Sequence, residues 1–155
     1  MRRILVPVDG SDDSLLAVRE VIREARTSSR VEIHLLNVQP RIFPEETLVF
    51  MPVEKIDSYY YERGMEALVP AETLLREAAL PFVSHRLVGP VAETILKKQR
   101  ELECDAIVMS TQGHGRIMGA LLGSVSAKVL HMAQVPVTLV KNATAPDFTG
   151  RLSAT

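Results

Sequence analysis

The sequence predicts an α/β protein: an open, doubly wound, five-stranded parallel sheet with helices on both faces. Three observations predict it. Short, solidly apolar runs alternate with segments whose apolar residues recur at three and four positions. The alternation is regular enough to read β-α-β-α-β-α-β-α-β, which implies parallel strands joined by right-handed crossovers. The chain has 155 residues, 46% of them hydrophobic and 24% charged, which suits one domain with one core.

Ile4-Leu5-Val6-Pro7-Val8 is a buried strand that ends at Asp9-Gly10-Ser11. Ser11 is placed to cap a helix, and Asp12 and Asp13 suit its positive first turn. Leu15, Val18, Ile22 and Ala25 mark that helix's inner face. Val31 to Val38 is the second strand, closed by Pro40. Residues 40–53 hold three prolines and no period, and read as an irregular excursion. From Glu54 to Ala79 the period is helical, but Pro70 lies inside. An interior proline costs about 3 kcal/mol, so a kink or two helices are expected there. Pro81 to Val88 alternates polar and apolar residues, as an edge strand does. Pro90 opens the next helix, and Lys97, Lys98 and Arg100 suit its negative end. Cys104 to Met109 is the fourth strand, with Cys104 a small buried hydrophobe. A helix from Ser124 to Ala133 and a fifth strand from Val135 to Val140 complete the domain, taken as residues 1–141; residues 142–155 are a loose tail.

Composition removes several function classes. The formal net charge is -1, without the basic excess that phosphate neutralisation on nucleic acid demands. No apolar run reaches the roughly 18 residues that span a bilayer. One cysteine makes neither an internal disulfide nor a cysteine-based metal site. His34, His85, His114 and His131 lack metal-ligand spacing. Tyr59-Tyr60-Tyr61 reads as helix packing rather than base stacking, for want of basic neighbours. The expectation is a cytoplasmic protein with no nucleic-acid or membrane partner.

In such a sheet, ligands bind at the carboxyl ends of the strands where strand order reverses. Two segments converge there. The loop Ser110 to Ser124 holds four of the eight glycines, which bring backbone close to a ligand and tolerate positive φ. Gly123-Ser124 opens a helix whose amino end attracts phosphate. No Asp or Glu lies between Ala106 and Pro146, whereas Arg116, Lys128 and Lys141 do. A structural glycine-rich crossover would show the same composition, so both readings stand. The second segment is Asp9 after the first strand, which either faces the crevice or merely closes the turn. There is no G-x-x-x-x-G-K-[ST], and Gly113, Gly115 and Gly119 miss the dinucleotide spacing by one.

Read as a whole, residues 2–141 resemble the universal stress protein family. The likeness rests on Ile4-Leu5-Val6-Pro7-Val8-Asp9-Gly10-Ser11, Val88-Gly89-Pro90-Val91-Ala92-Glu93-Thr94-Ile95, Asp105-Ala106-Ile107-Val108-Met109, Leu121-Leu122-Gly123-Ser124-Val125 and Val135-Pro136-Val137. ATP-binding members carry G-x2-G-x9-G-[ST]; here Gly113 and Gly123-Ser124 match, and Ser110 stands at the first glycine. Its Cβ would crowd the phosphates, or its hydroxyl would donate to them. The resemblance implies an adenine nucleotide alpha hydrolase-like sheet of order 3-2-1-4-5. It implies ATP, or ADP or AMP, with Pro7, Val8, Asp9 and Val38 around the adenosine and backbone near Val38 reading the base. Met109, Ser110 and Gly113 would border ribose and phosphates, and Gly123, Ser124 and Val125 would hold the phosphate tail. Mg²⁺ or Mn²⁺ would accompany the nucleotide. Arg116 is added from this sequence as a mobile phosphate contact, with a solvated loop charge as the alternative. The family also implies a homodimer through residues 135–140. No nucleophile–base pair stands out, so slow ATP hydrolysis is the most that is expected. The function implied is a stress-response regulator whose nucleotide occupancy modulates dimer or partner contacts. A nucleotide-free dimerisation module of the same fold and a nucleotide-cleaving enzyme are the alternatives.

Overall fold

The computed structural model describes residues 1–28, 30–113 and 122–142. Ten elements follow in order: β1 (Arg2–Pro7), α1 (Asp12–Thr27), β2 (Val31–Gln39), α2 (Glu45–Leu48), α3 (Val53–Glu77), β3 (Phe82–Val88), α4 (Val91–Glu101), β4 (Ala106–Ser110), α5 (Ser124–Met132) and β5 (Val137–Val140). The five strands are all parallel, in the order β3-β2-β1-β4-β5. This is the doubly wound sheet expected, with β3 on one edge and β5 on the other.

Strand periodicity sorts the core into two layers. Ile4, Val6, Ile33 and Leu35 meet Val18 and Val21 of α1 and Leu68 and Leu75 of α3 on one face. Leu5, Leu36, Ile107 and Met109 meet Ile95 and Leu96 of α4 and Val129 of α5 on the other. A one-residue slip of any central strand would exchange the two sets, but both are apolar, so register is pinned by the main-chain pairing and the polar positions among them.

Ser11 caps α1 as expected, accepting from Ser14 N at 3.2 Å, with Asp12 and Asp13 in the first turn. Asp9 is joined to this cap, since Ser11 N donates to its Oδ1 at 2.9 Å.

Three expectations need correction. The segment around Pro70 is not two helices: α3 runs unbroken from Val53 to Glu77 with Pro70 inside. Leu68 and Leu75, on either side of the proline, are fully buried. Each contributes about 1.5–3 kcal/mol, which together offsets the cost of roughly 3 kcal/mol for the proline. The excursion 40–53 contains a short helix, α2, and Phe43 packs edge-on against Tyr59 and Tyr60. Two of the three tyrosines do have basic neighbours: Arg63 lies over Tyr59 and Arg86 over Tyr61, the latter at 4.2 Å. Tyr59 and Tyr60 pack with Phe43, whereas Tyr61 is exposed. Cys104 is buried just before β4, and burial pushes its thiol up to about 11. Residues 143–155, expected as a tail, lie outside the described residues, as do His114 and Arg116. Among the described residues, no helix is long and apolar enough to cross a membrane.

Candidate functional site

A cavity of about 560 Å³ opens where β1, β2 and β4 end. This is the position where strand order reverses, since β1 pairs with β2 on one side and β4 on the other. Pro7, Val8, Asp9, Val38, Met109, Ser110, Gly113, Gly123, Ser124 and Val125 all line it. The structure therefore brings together every candidate named from sequence except Arg116, which lies outside the described residues.

Its floor is built by side chains that brace the main chain. Val8 N donates to Leu36 O at 2.8 Å, and the buried Asn37 donates through Nδ2 to Val8 O at 2.9 Å. Gln39 Nε2 then donates to Asn37 Oδ1 at 2.8 Å. On the opposite wall Ser126 Oγ donates to Ser110 O at 2.9 Å. Ser110 Oγ donates to Gln112 O at 2.7 Å, closing the first turn of the loop. The hydroxyl that replaces the motif's first glycine is thus engaged with its own backbone, and its side chain is buried at the end of β4.

The glycines serve mainly through space. Gly10 has φ +85°, and an added Cβ would lie 3.1 Å from Ala67 Cα of α3. Gly113 is not in the left-handed region, contrary to the conformational role expected of the loop glycines. Its need is steric: an added Cβ would overlap Asp9 Oδ2. Asp9 therefore faces the glycine loop across the crevice, while its Oδ1 closes the β1–α1 turn. Both readings of this carboxylate hold at once. At Gly123 an added Cβ would approach Thr111 O at 3.3 Å, and the Gly123 amide donates to that same oxygen at 2.6 Å. This amide is engaged with the loop backbone, so it is not part of the cradle expected from successive amides.

Gly123 is the N-cap residue of α5, with no capping side-chain bond and no acid in the first turn. The partial positive charge at that helix end is thus uncompensated by any side chain of its first turn. Arg63 and Glu66 of α3 supply charged groups on the rim, 3.7 Å apart. These two, with Asn37, Gln39 and Ser126, were not identified from sequence; Arg63 and Glu66 lie on α3, whose place beside the crevice only the fold sets. The pairing of polar Asn37 and Gln39 inside an apolar strand was the available signal.

Midway along β2 and β3 lies a second polar cluster. His34 Nδ1 is 3.0 Å from His85 Nε2, the rings stack, and His34 Nε2 meets Glu32 Oε1 at 2.8 Å. Burial, then the charge of Lys98 and then His34, hold the His85 pKa below its ordinary value. The hydrogen bond from His34 lowers Glu32. Among the described residues no three His, Cys, Asp or Glu converge as metal ligands.

Comparison with known proteins agrees with this geometry. The family model described as "Universal stress protein family" matches residues 1–141. The chain is similar to a universal stress protein of Methanocaldococcus jannaschii, 32% identical over 143 residues that cover 90% of this chain and 82% of the relative. Among solved structures, a hypothetical protein studied as a test of assigning biochemical function from structure superposes with TM-score 0.78 at 24% identity, covering 91% of this chain and 96% of that one. A universal stress protein in complex with cAMP gives 0.67 at 24% identity, with coverage of 90% and 96%. An Arabidopsis thaliana member with AMP bound gives 0.64 at 20%, with coverage of 92% and 94%.

Proposed function

This chain belongs to the universal stress protein family, and from that premise we propose that it is an adenine-nucleotide-binding regulatory protein whose occupancy modulates its contacts with itself or a partner. One observation carries the reading. The crevice at the strand-order reversal joins an apolar wall to the uncapped, acid-free amino end of α5, which is how a site for a base and a phosphate is built. Relatives of the same fold carry cAMP and AMP. For this chain ATP is the nucleotide proposed, with ADP and AMP as the shorter alternatives.

In this reading Pro7, Val8 and Val38 enclose the adenosine, and Asp9 accepts from ribose hydroxyls. Met109, Ser110 and Gly113 border the ribose and first phosphate. Gly123, Ser124 and Val125 hold the phosphate tail through the helix end, and Arg116 is a further phosphate contact. The described wall does not gather the acids that would hold a cation by itself. Mg²⁺ or Mn²⁺ would therefore enter with the phosphates, where it would offset their charge. Hydrolysis, if it occurs, is slow. The dimer proposed is through β5, an outermost strand whose free edge a second copy would pair.

A nucleotide-free dimerisation module is the second reading, favoured by the Gly123 amide, which is bonded to Thr111 O. The experiment that separates them is denaturation of freshly purified protein, with identification of any released adenylate, followed by titration with ATP. Released or titratable nucleotide supports the proposal. Protein that releases none and takes up none of ATP, ADP or AMP refutes it.

A further inference from the structure

We propose that Gln39 selects the base in this crevice, distinguishing a 6-aminopurine from a 6-oxopurine, and that Asn37 is the positioning residue that makes it do so. This rests on the nucleotide reading above and deepens it. The reasoning starts from one atom whose role cannot change. Val8 O is a main-chain carbonyl and only accepts. The Asn37 atom 2.9 Å away must be the donor Nδ2. Asn37 is 1% exposed, so water does not offer the amide an alternative partner. Asn37 Oδ1 is then an acceptor, and the Gln39 atom 2.8 Å from it must be Nε2. Turning either amide would set two acceptors or two donors against each other, at a cost of about 1–3 kcal/mol for the buried group.

The consequence is an oriented Gln39. Its Oε1 accepts no hydrogen bond from the described residues, and Nε2 keeps a second N–H. Gln39 lies between two hollows. It lines the nucleotide crevice beside Val38, and also an adjoining hollow of about 280 Å³ bounded by Tyr61 and Arg86. Adenine offers a donor at N6 beside ring-nitrogen acceptors, the complement of an amide acceptor beside an N–H. Hypoxanthine and guanine carry an acceptor at the 6-position. A glutamine free to rotate would invert its amide and serve either class. The chain Val8–Asn37–Gln39 denies that inversion, so selectivity comes from the lock as much as from the residue that touches the base.

ATP and ITP differ only at the purine 6-position, apart from the ring proton that follows, and are the probes. Dissociation constants measured by titration should favour ATP by about tenfold or more in the unaltered protein. In Gln39→Leu the ratio should fall to about twofold or less, with ATP still bound. In Asn37→Ala the ratio should fall because ITP loses less affinity than ATP; damage to the fold alone would weaken both alike. Equal affinity for ATP and ITP in the unaltered protein, or an undiminished ratio in Gln39→Leu, overturns this proposal and leaves the nucleotide reading intact. Failure to bind either triphosphate or AMP overturns both.

Discussion

Two polar regions of the sheet differ in emphasis: the histidine cluster midway along β2 and β3, and the crevice at the strands' carboxyl ends. In the first, ionisable side chains pair with one another: Arg3 with Glu32, Glu32 with His34, and His34 with His85. In the second, most polar side chains brace the main chain, Asn37 on Val8 O, Ser110 on Gln112 O, Ser126 on Ser110 O and Asp9 on Ser11 N, with Gln39–Asn37 a side-chain pair among them. Pairing charges with one another closes a surface and makes it titrate. Bracing the backbone fixes a loop's shape and leaves the space above it to a ligand. β2 carries both arrangements.

The largest test of that contrast is Gly113→Val. A side chain there drives Asp9 out of its position against the loop, and ATP affinity should drop on the order of a hundredfold or be lost, as read by titration. Far-UV circular dichroism should stay unchanged, because no core residue is touched. Retained affinity would break the claim that the loop's backbone and Asp9 form one wall.

A second test concerns the histidine cluster alone. His85 binds its proton less readily in the folded protein than its ordinary value of 6.5 implies. The unfolded chain takes up that proton first, so Tm should decline as pH falls below about 6.5 and cease to decline on this account below the folded pKa. Glu32 is lowered from 4.5, so its favourable pairing is lost only at pH below that value. The window between 4.5 and 6.5 therefore isolates the histidine. His85→Gln should flatten Tm across it, measured by thermal melts at several pH values. An unchanged slope would show that the histidine contact does not carry the titration.

The smallest effect is expected from Ser110→Gly, which restores the motif's first glycine. It removes the bond to Gln112 O, worth about 0.5–1.5 kcal/mol of stability, readable as a shift in denaturant midpoint. ATP affinity should change by less than about threefold, because the hydroxyl is engaged with the loop. A large gain in affinity would show that the Ser110 side chain obstructs the phosphates.

Much of this was legible from residue order. Strand and helix periods placed all five strands and the crevice, because β1 and β4 are solidly apolar, β3 alternates as an edge strand does, and Ser11 marks the start of α1. Motif spacing picked out Gly113 and Gly123 but not why each must be glycine. Gly113 answers to Asp9, 104 positions earlier in the chain and adjacent only after β1 and β4 pair. The charged rim from Arg63 and Glu66 was hidden for the same reason. Pro70 misled because local propensity says nothing of Leu68 and Leu75, whose burial outweighs it.

Gly10 packs so closely on Ala67 that an added Cβ would lie 3.1 Å from the Ala67 Cα, which seats the β1–α1 turn against α3. α3 has 25 residues, about 37 Å of rod, and its far end holds Ser84 through Glu72 and stacks Arg76 on Phe82 at the start of β3. The residues that shape the crevice's turn and those that seat the edge strand β3 thus belong to one continuous helix, so a substitution at Ala67 bears on both.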